Sequence, residues 1–256
     1  MPKGLQSAER VSHTDASDNY VFQRSQLAYY EAARIVSGDV LEIGTGSGYG
    51  VAIVGPHTRT FVTVDKFDTG LDLSGNPNVQ FHRMTVPPLA FTDESFDCVI
   101  TFQVIEHIKR DREMIREIWR VLRPGGKLVI STPNRKMSLT RNPWHVREYT
   151  AGEFRSLLAE NFTEVEALGV FGRGNVMEYY ENNKRSVARI ARYDILRLQK
   201  WLPRPLLRIP YDILNRMNRR KLLSADENLT AGIGMDDYYL APVTDESFDL
   251  FYIAHK

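Results

Sequence analysis

Cysteine is almost missing from this 256-residue chain: Cys98 stands alone inside "FDCVITF". That excludes an intrachain disulfide and a thiolate metal cluster, and it suits a reducing compartment. No run approaches the roughly 18 apolar residues that a membrane-crossing helix needs. The opening "MPKGLQSAERVSHTDASDNY" also lacks the apolar centre of a secretory signal. A soluble cytoplasmic protein is therefore expected. Nor is there an excess of one charge: 33 Lys and Arg stand against 32 Asp and Glu, a net of +1. A field drawing the whole molecule onto nucleic acid is thereby excluded. Internal repeats and low-complexity tracts are absent too.

What is present is enough apolar sequence, 43% of residues, for one large core. Short β-rich runs, "DVLEI", "TFVTVD", "NVQFHR", "FDCVITF" and "KLVIST", alternate with helical patterns. This predicts a mostly parallel sheet covered by helices on both faces. In "RDREMIREIWRVLRPGG", Met114, Ile115, Ile118, Val121 and Leu122 form one stripe before a Pro-Gly-Gly stop. Thr150 and Glu153 make a capping box ahead of "AGEFRSLLAENF". "TEVEALGVF" and the closing "SFDLFYIAHK" add an antiparallel edge pair, for seven strands in a Rossmann-like α/β fold.

Three segments follow: residues 1–174 as a core with an N-terminal helical segment, 175–228 as a basic helical insert, and 229–256 as the return to the sheet. From Lys184 through Lys221, twelve Lys or Arg face only Asp194 and Asp212. Interleaved with them are Ile195, Leu196, Leu198, Trp201, Leu202, Leu206, Leu207, Ile209, Ile213 and Leu214, broken by Pro203, Pro205 and Pro210. A lid over an acceptor pocket is the first reading. A segment lying on a membrane surface, a cradle for an anionic acceptor, and a helical subdomain or dimer contact are the others. RNA is less favoured, since no RNA-binding module is visible.

"VLEIGTGSGYG" places Gly44, Gly46 and Gly48 two residues apart behind a buried strand. Such a loop turns sharply and lets a ligand approach with no Cβ in the way. A dinucleotide fold wants a small residue where Tyr49 stands. Glu42, two residues ahead of the loop, instead suits a ligand carrying an ammonium group.

This stretch resembles motif I of the class I S-adenosylmethionine-dependent methyltransferases, and in particular their quinone-biosynthesis, type 11 small-molecule group. "LAFTDESFDCVI" is similar to that family's approach to strand four, and "RVLRPGGKLVISTPN" to its approach to strand five. The resemblance implies S-adenosylmethionine as cofactor, with Glu42 toward the ammonium, the three glycines and Tyr49 as the cradle, and Asp65, followed by Lys66, on the ribose diol. Thr85 and Val86 would border adenine, where many relatives read Asp-Ala, and Gln103 would lie beneath the methyl group. The Asn/Asp-Pro-Pro-aromatic turn of amino-directed DNA enzymes is missing after strand four, and Cys98 is no Pro-Cys nucleophile. The implied acceptor is a small-molecule hydroxyl, on a lipid-linked quinone precursor or a saccharide.

His107 in "QVIEHI" and His145 in "NPWHVREYT" are the candidate bases, with Glu106 beside the first. His145 is preferred, because a rigid Pro-Trp lead-in aims it and Arg147 and Glu148 can orient it. Gln103-x-x-Glu106-His107 with His145 also resembles the Glu-x-x-Glu-His cluster of metal-dependent relatives. Gln103 removes one negative charge from that pattern, so a divalent cation is not favoured. A nicotinamide oxidoreductase and a non-catalytic methyltransferase-like binding protein are the rival readings.

Overall fold

The computed structural model describes residues 14–192 and 202–256. Ile195, Leu196, Leu198 and Trp201 of the insert lie outside the described residues. The chain divides into two compact units. The first takes in the described residues of Met1–Ser25, with Ser138–Val146 and Gly172–Tyr239; the second comprises Gln26–Met137, Arg147–Phe171 and Leu240–Lys256.

The second unit is built on a sheet. Its strands are β1 (Asp39–Ile43), β2 (Thr60–Asp65), β3 (Val79–Arg83), β4 (Phe96–Phe102), β5 (Leu122–Pro133), β6 (Glu164–Gly172), β7 (Tyr238–Pro242) and β8 (Asp249–His255). They lie in the order β3-β2-β1-β4-β5-β8-β6-β7. Strands β1 to β5 run parallel, whereas β8 pairs antiparallel with both β5 and β6. Eight strands, rather than the expected seven, arise because Tyr238–Pro242 adds an edge strand beside β6. The last run is correspondingly no edge, since β8 is enclosed by two neighbours.

Period-two alternation decides what each face of β1 meets. Leu41 and Ile43, both buried, belong to the core formed with α3 (Asp111–Val121) and α4 (Ala151–Ala159). From these helices Met114, Ile115, Ile118, Val121, Phe154, Leu157 and Leu158 pack against Leu128, Ile130, Leu250 and Tyr252. Val40 and Glu42 point to the opposite face, where Glu42 meets Tyr29 of the preceding α1 (Asn19–Ala33) and Gly50 of the short α2 (Tyr49–Ile53) that follows. Helix α3 stops at Val121, before Pro124, because Leu122 already has extended backbone and starts β5. The Thr150 cap is formed in full: its hydroxyl accepts from Glu153 N, and Glu153 Oε2 accepts from Thr150 N at 2.8 Å.

The first unit holds α5 (Asn175–Ala191), α6 (Arg204–Ala225) and α7 (Glu227–Ala231). Proline breaks α6 less than expected. Pro205 occupies the first turn, where no amide hydrogen is needed. Pro210 lies inside the helix on its solvent face, so the carbonyl of Leu206 that it leaves unbonded, four residues back, can turn to water.

Removing the α4 cap tests this account of the second unit. Thr150→Ala is expected to cost about 1 kcal/mol in urea unfolding, and Thr150→Ser much less.

Candidate active site

The order of the sheet reverses between β1 and β4, so the connections leaving their carboxyl ends run in opposite directions, the position where open α/β sheets bind ligands. Four segments of the second unit leave the strands at that edge.

The first is the glycine loop. Gly44, Gly46 and Gly48 all have positive φ, at 97°, 53° and 83°. The amides of Gly44 and Thr45 donate to the carbonyl of Val64 at the end of β2, at 2.8 and 3.2 Å. A Cβ on Gly44 would stand 2.4 Å from Val104 and one on Gly48 2.6 Å from Leu71, whereas one on Gly46 would meet no atom closer than 4.0 Å. Two glycines thus exist for packing, and the exposed Gly46 leaves bare backbone facing open space. Tyr49, half-buried at the start of α2, meets the ring of Tyr29 edge-on.

Beneath the loop lies Glu42, 1% exposed. Thr63 donates to its Oε2 at 2.5 Å, and Thr63 in turn shares a 2.6 Å hydrogen bond with Thr45 of the loop. The Tyr29 hydroxyl faces the same carboxyl group and favours its charge. Even so, Oε1 has no hydrogen-bond partner of good geometry and sits where a Cβ on Gly50 would be, 2.2 Å away. Burial pushes the pKa of Glu42 up to about 8, with the hydrogen bonds from Thr63 and Tyr29 opposing and the charge of Asp65 adding to the rise. Glu42 is accordingly a neutral acid at pH 7 that faces the loop from below. Burial likewise raises the pKa of Tyr29 well above the usual phenol range, reinforced by Glu42. Tyr29 and Thr63 went unnoticed in the sequence; Thr63, two residues before Asp65 and paired in register with Glu42, was the available signal.

The second segment is the end of β2. Asp65 Oδ2 accepts the Gly46 amide at 3.1 Å and Oδ1 the Phe67 amide at 2.9 Å. A carboxylate has about four acceptor positions, so two remain for a vicinal diol. Lys66 is exposed, with Nζ 4.9 Å from the centre of the Phe67 ring, itself 51% exposed. The third segment follows β3, where Thr85 is exposed and Val86 half-buried.

The fourth follows β4. Gln103 has φ of 56°, a left-handed backbone costly for a side-chain-bearing residue. Its amide donates to the Ser131 carbonyl at 3.0 Å. A single 3-10 turn, Ile105–His107, then presents Glu106 and His107. Glu106, 1% exposed, accepts from Thr132 at 3.0 Å, and His107 is half-buried. Arg147, expected to orient His145, pairs instead with Asp111 at 3.1 Å and stacks over Tyr149. Cys98, buried in β4, has its thiol pKa pushed up to about 12 by desolvation, which removes any nucleophilic role.

His145 belongs to the first unit and is 9% exposed. Asn142 Oδ1 accepts from Trp144 N at 3.0 Å, which leaves the Asn142 amide nitrogen to face His145 Nε2 at 2.9 Å. Helix α6 grips the same segment: Trp144 Nε1 donates to Asp212 at 3.0 Å, Arg208 stacks on Trp144 at 4.4 Å, and Arg204 donates to the Val146 carbonyl at 2.6 Å. Asn142, three residues before the histidine, is the partner that sequence reasoning missed.

Residues 41–130 match the methyltransferase domain family. A probable S-adenosylmethionine-dependent methyltransferase of Mycolicibacterium smegmatis is 31% identical over 97% of this chain and 93% of its own length. The chain belongs to the S-adenosylmethionine-dependent methyltransferases. A probable member from Mycobacterium tuberculosis is 39% identical over 60% of each chain. A ubiquinone biosynthesis O-methyltransferase of Coxiella burnetii is 26% identical over 43% of this chain and 50% of its own. The fold is shared with a methyltransferase from Thermotoga maritima at a TM-score of 0.58 and 14% identity, covering 93% of this chain and 92% of that one. S-adenosylmethionine is thus the cofactor of this enzyme, and a nicotinamide reading has no support. The bare backbone at Gly46 and the spare acceptor positions of Asp65 fit an adenosyl ligand.

The buried acid of the methyltransferase sets a pH dependence. Between the unfolded value near pH 4.5 and the folded value near 8, the native state keeps a proton that the unfolded chain has released. Stability therefore falls as pH rises through that window, and the penalty is complete above it. Glu42→Gln is expected to raise Tm by several degrees more at pH 8.5 than at pH 5 in scanning calorimetry. An equal shift at both values would place an ionised carboxylate at this position.

Proposed function

We propose that this methyltransferase acts on a hydroxyl oxygen of a small-molecule acceptor, a lipid-linked quinone precursor or a saccharide. A sulfonium cofactor supplies an already activated methyl group, so the protein has two tasks: to align the acceptor oxygen and to take up its proton. On this reading Asp65 holds the ribose hydroxyls, the backbone of Gly44 to Gly48 carries the remainder, Tyr49 and Lys66 flank it, and Thr85 and Val86 border the adenine. Glu42 acts by fixing the loop from beneath.

The observation that carries the hydroxyl reading is the 3-10 turn after β4. The left-handed backbone at Gln103 brings the chain to a half-buried His107 next to a buried Glu106 that is itself anchored to Thr132. His107 takes the proton; His145 Nε2 is paired with the Asn142 side-chain amide, which supports a positioning role for that residue. Gln103 offers a neutral amide where a metal site would want a carboxylate, so turnover survives chelation of divalent cations. The name of the Coxiella relative adds support for an oxygen acceptor of the quinone-precursor type.

Calorimetry with S-adenosylhomocysteine checks the cofactor half. Asp65→Ala is expected to weaken binding about tenfold or more through loss of charge-assisted hydrogen bonds, and NADH is expected not to bind. For catalysis, His107→Ala is expected to lower kcat by about two to four powers of ten while leaving cofactor affinity unchanged. His145→Ala is expected to cost less and to preserve the shape of the pH profile. Full turnover in both variants would replace this proposal with a purely positional mechanism.

A further inference from the structure

Helix α6 is turned inside out. Its charged and amide side chains point inward at near i, i+4 spacing. Asp212 is 5% exposed under Trp144, and Asn218 lies between Ser186 at 2.6 Å and Asn183 at 2.7 Å. Arg216 and Arg219 converge on Asp18, 0% exposed, at 3.0 and 2.6 Å. The opposite face reads Pro205, Leu206, Ile209, Pro210, Ile213, Leu214 and Met217, every one exposed. Leu206, Ile209 and Met217 reach 63%, 67% and 62%. In a surface helix the arrangement is normally the reverse. A contiguous apolar strip of this kind marks a surface meant to be covered.

Charge decides by what. The strip continues one turn further into exposed Arg220 and Lys221, ahead of exposed Asp226 and Glu227 past the helix end, and α5 of the same unit adds exposed Arg189, with exposed Arg192 as its C-cap. Asp18 pairs with the inward arginines, and Asp15 lies near Arg220. No described helix is long and apolar enough to cross a membrane. An apolar strip edged by cations, on a helix too polar to span, matches an interface of anionic headgroups over acyl chains.

We propose that the outer face of α6 docks the enzyme on an anionic lipid surface, with Leu206, Ile209, Ile213 and Met217 at acyl depth and Arg220 and Lys221 on the headgroups. This docking is independent of which acceptor the enzyme methylates.

Co-sedimentation of the full chain with vesicles tests it, using phosphatidylcholine alone or mixed in equal parts with phosphatidylglycerol. Binding is expected on the mixed vesicles and not on the neutral ones. Leu206→Gln/Ile209→Gln/Met217→Gln should weaken it by about tenfold or more. Arg220→Gln/Lys221→Gln should weaken it by about 25-fold, about fivefold per cation. Both variants keep the wild-type affinity for S-adenosylhomocysteine, measured by calorimetry as the control for folding. The proposal is overturned if the wild-type chain stays in the supernatant with both vesicles, or if both variants bind as it does. It is also overturned if the wild-type chain is a dimer in solution that the triple variant dissolves, since a second copy would then cover the face.

Discussion

Strand β1 is hydrogen-bonded along both edges and buried on both faces, and it ends in a loop that must double back over its own tip. That enclosure is the constraint on which the site depends. With β2 on one side and β4 on the other, the chain leaving Ile43 can rise only where the two neighbours part. The turn needs three left-handed residues, and the amides of Gly44 and Thr45 are tied down to β2. Glu42 completes the arrangement from below, through Thr63 and Thr45, at the expense of a buried carboxyl group that stays protonated near neutrality. The loop owes its rigidity to that hidden side of the strand, and its bare outer backbone is a by-product available to a ligand.

The first unit follows a different logic. Its principal helix spends its polar residues inward, clamping the segment that carries His145 and binding Asp18. Polar groups inside a subdomain are tolerable only when partnered, and here Trp144, Ser186, Asn183 and Asp18 supply the partners. What would be a core-facing strip in an ordinary amphipathic helix is thereby left on the outside. Positioning of a candidate loop and presentation of an apolar surface are two faces of one sequence pattern.

Much of the core was legible from residue order. "DVLEI", "TFVTVD" and "FDCVITF" carry the apolar density of buried strands, and each forms one at the expected place. Thr150 and Glu153 stand at the spacing a capping box requires, and the box forms. The eighth strand was harder to see, because "YYLAP" is short, ends in proline and lies next to β6, a strand far away in sequence. Pro210 misled in the opposite direction: an interior proline removes one hydrogen bond and crowds the carbonyl four residues back, yet on this exposed face the helix continues through it.

Residue order alone thus determined seven of the eight strands, the glycine loop and its acidic neighbours, because hydrophobic period, positive φ and capping act over a few residues. Tertiary structure alone decided that Glu42 is buried and neutral, that Arg147 serves Asp111, and that Asn142 engages His145. It also decided that Leu206, Ile209, Ile213, Leu214 and Met217 of α6 face outward. Protonation, pairing and exposure depend on what distant segments bring alongside, and no local pattern encodes that.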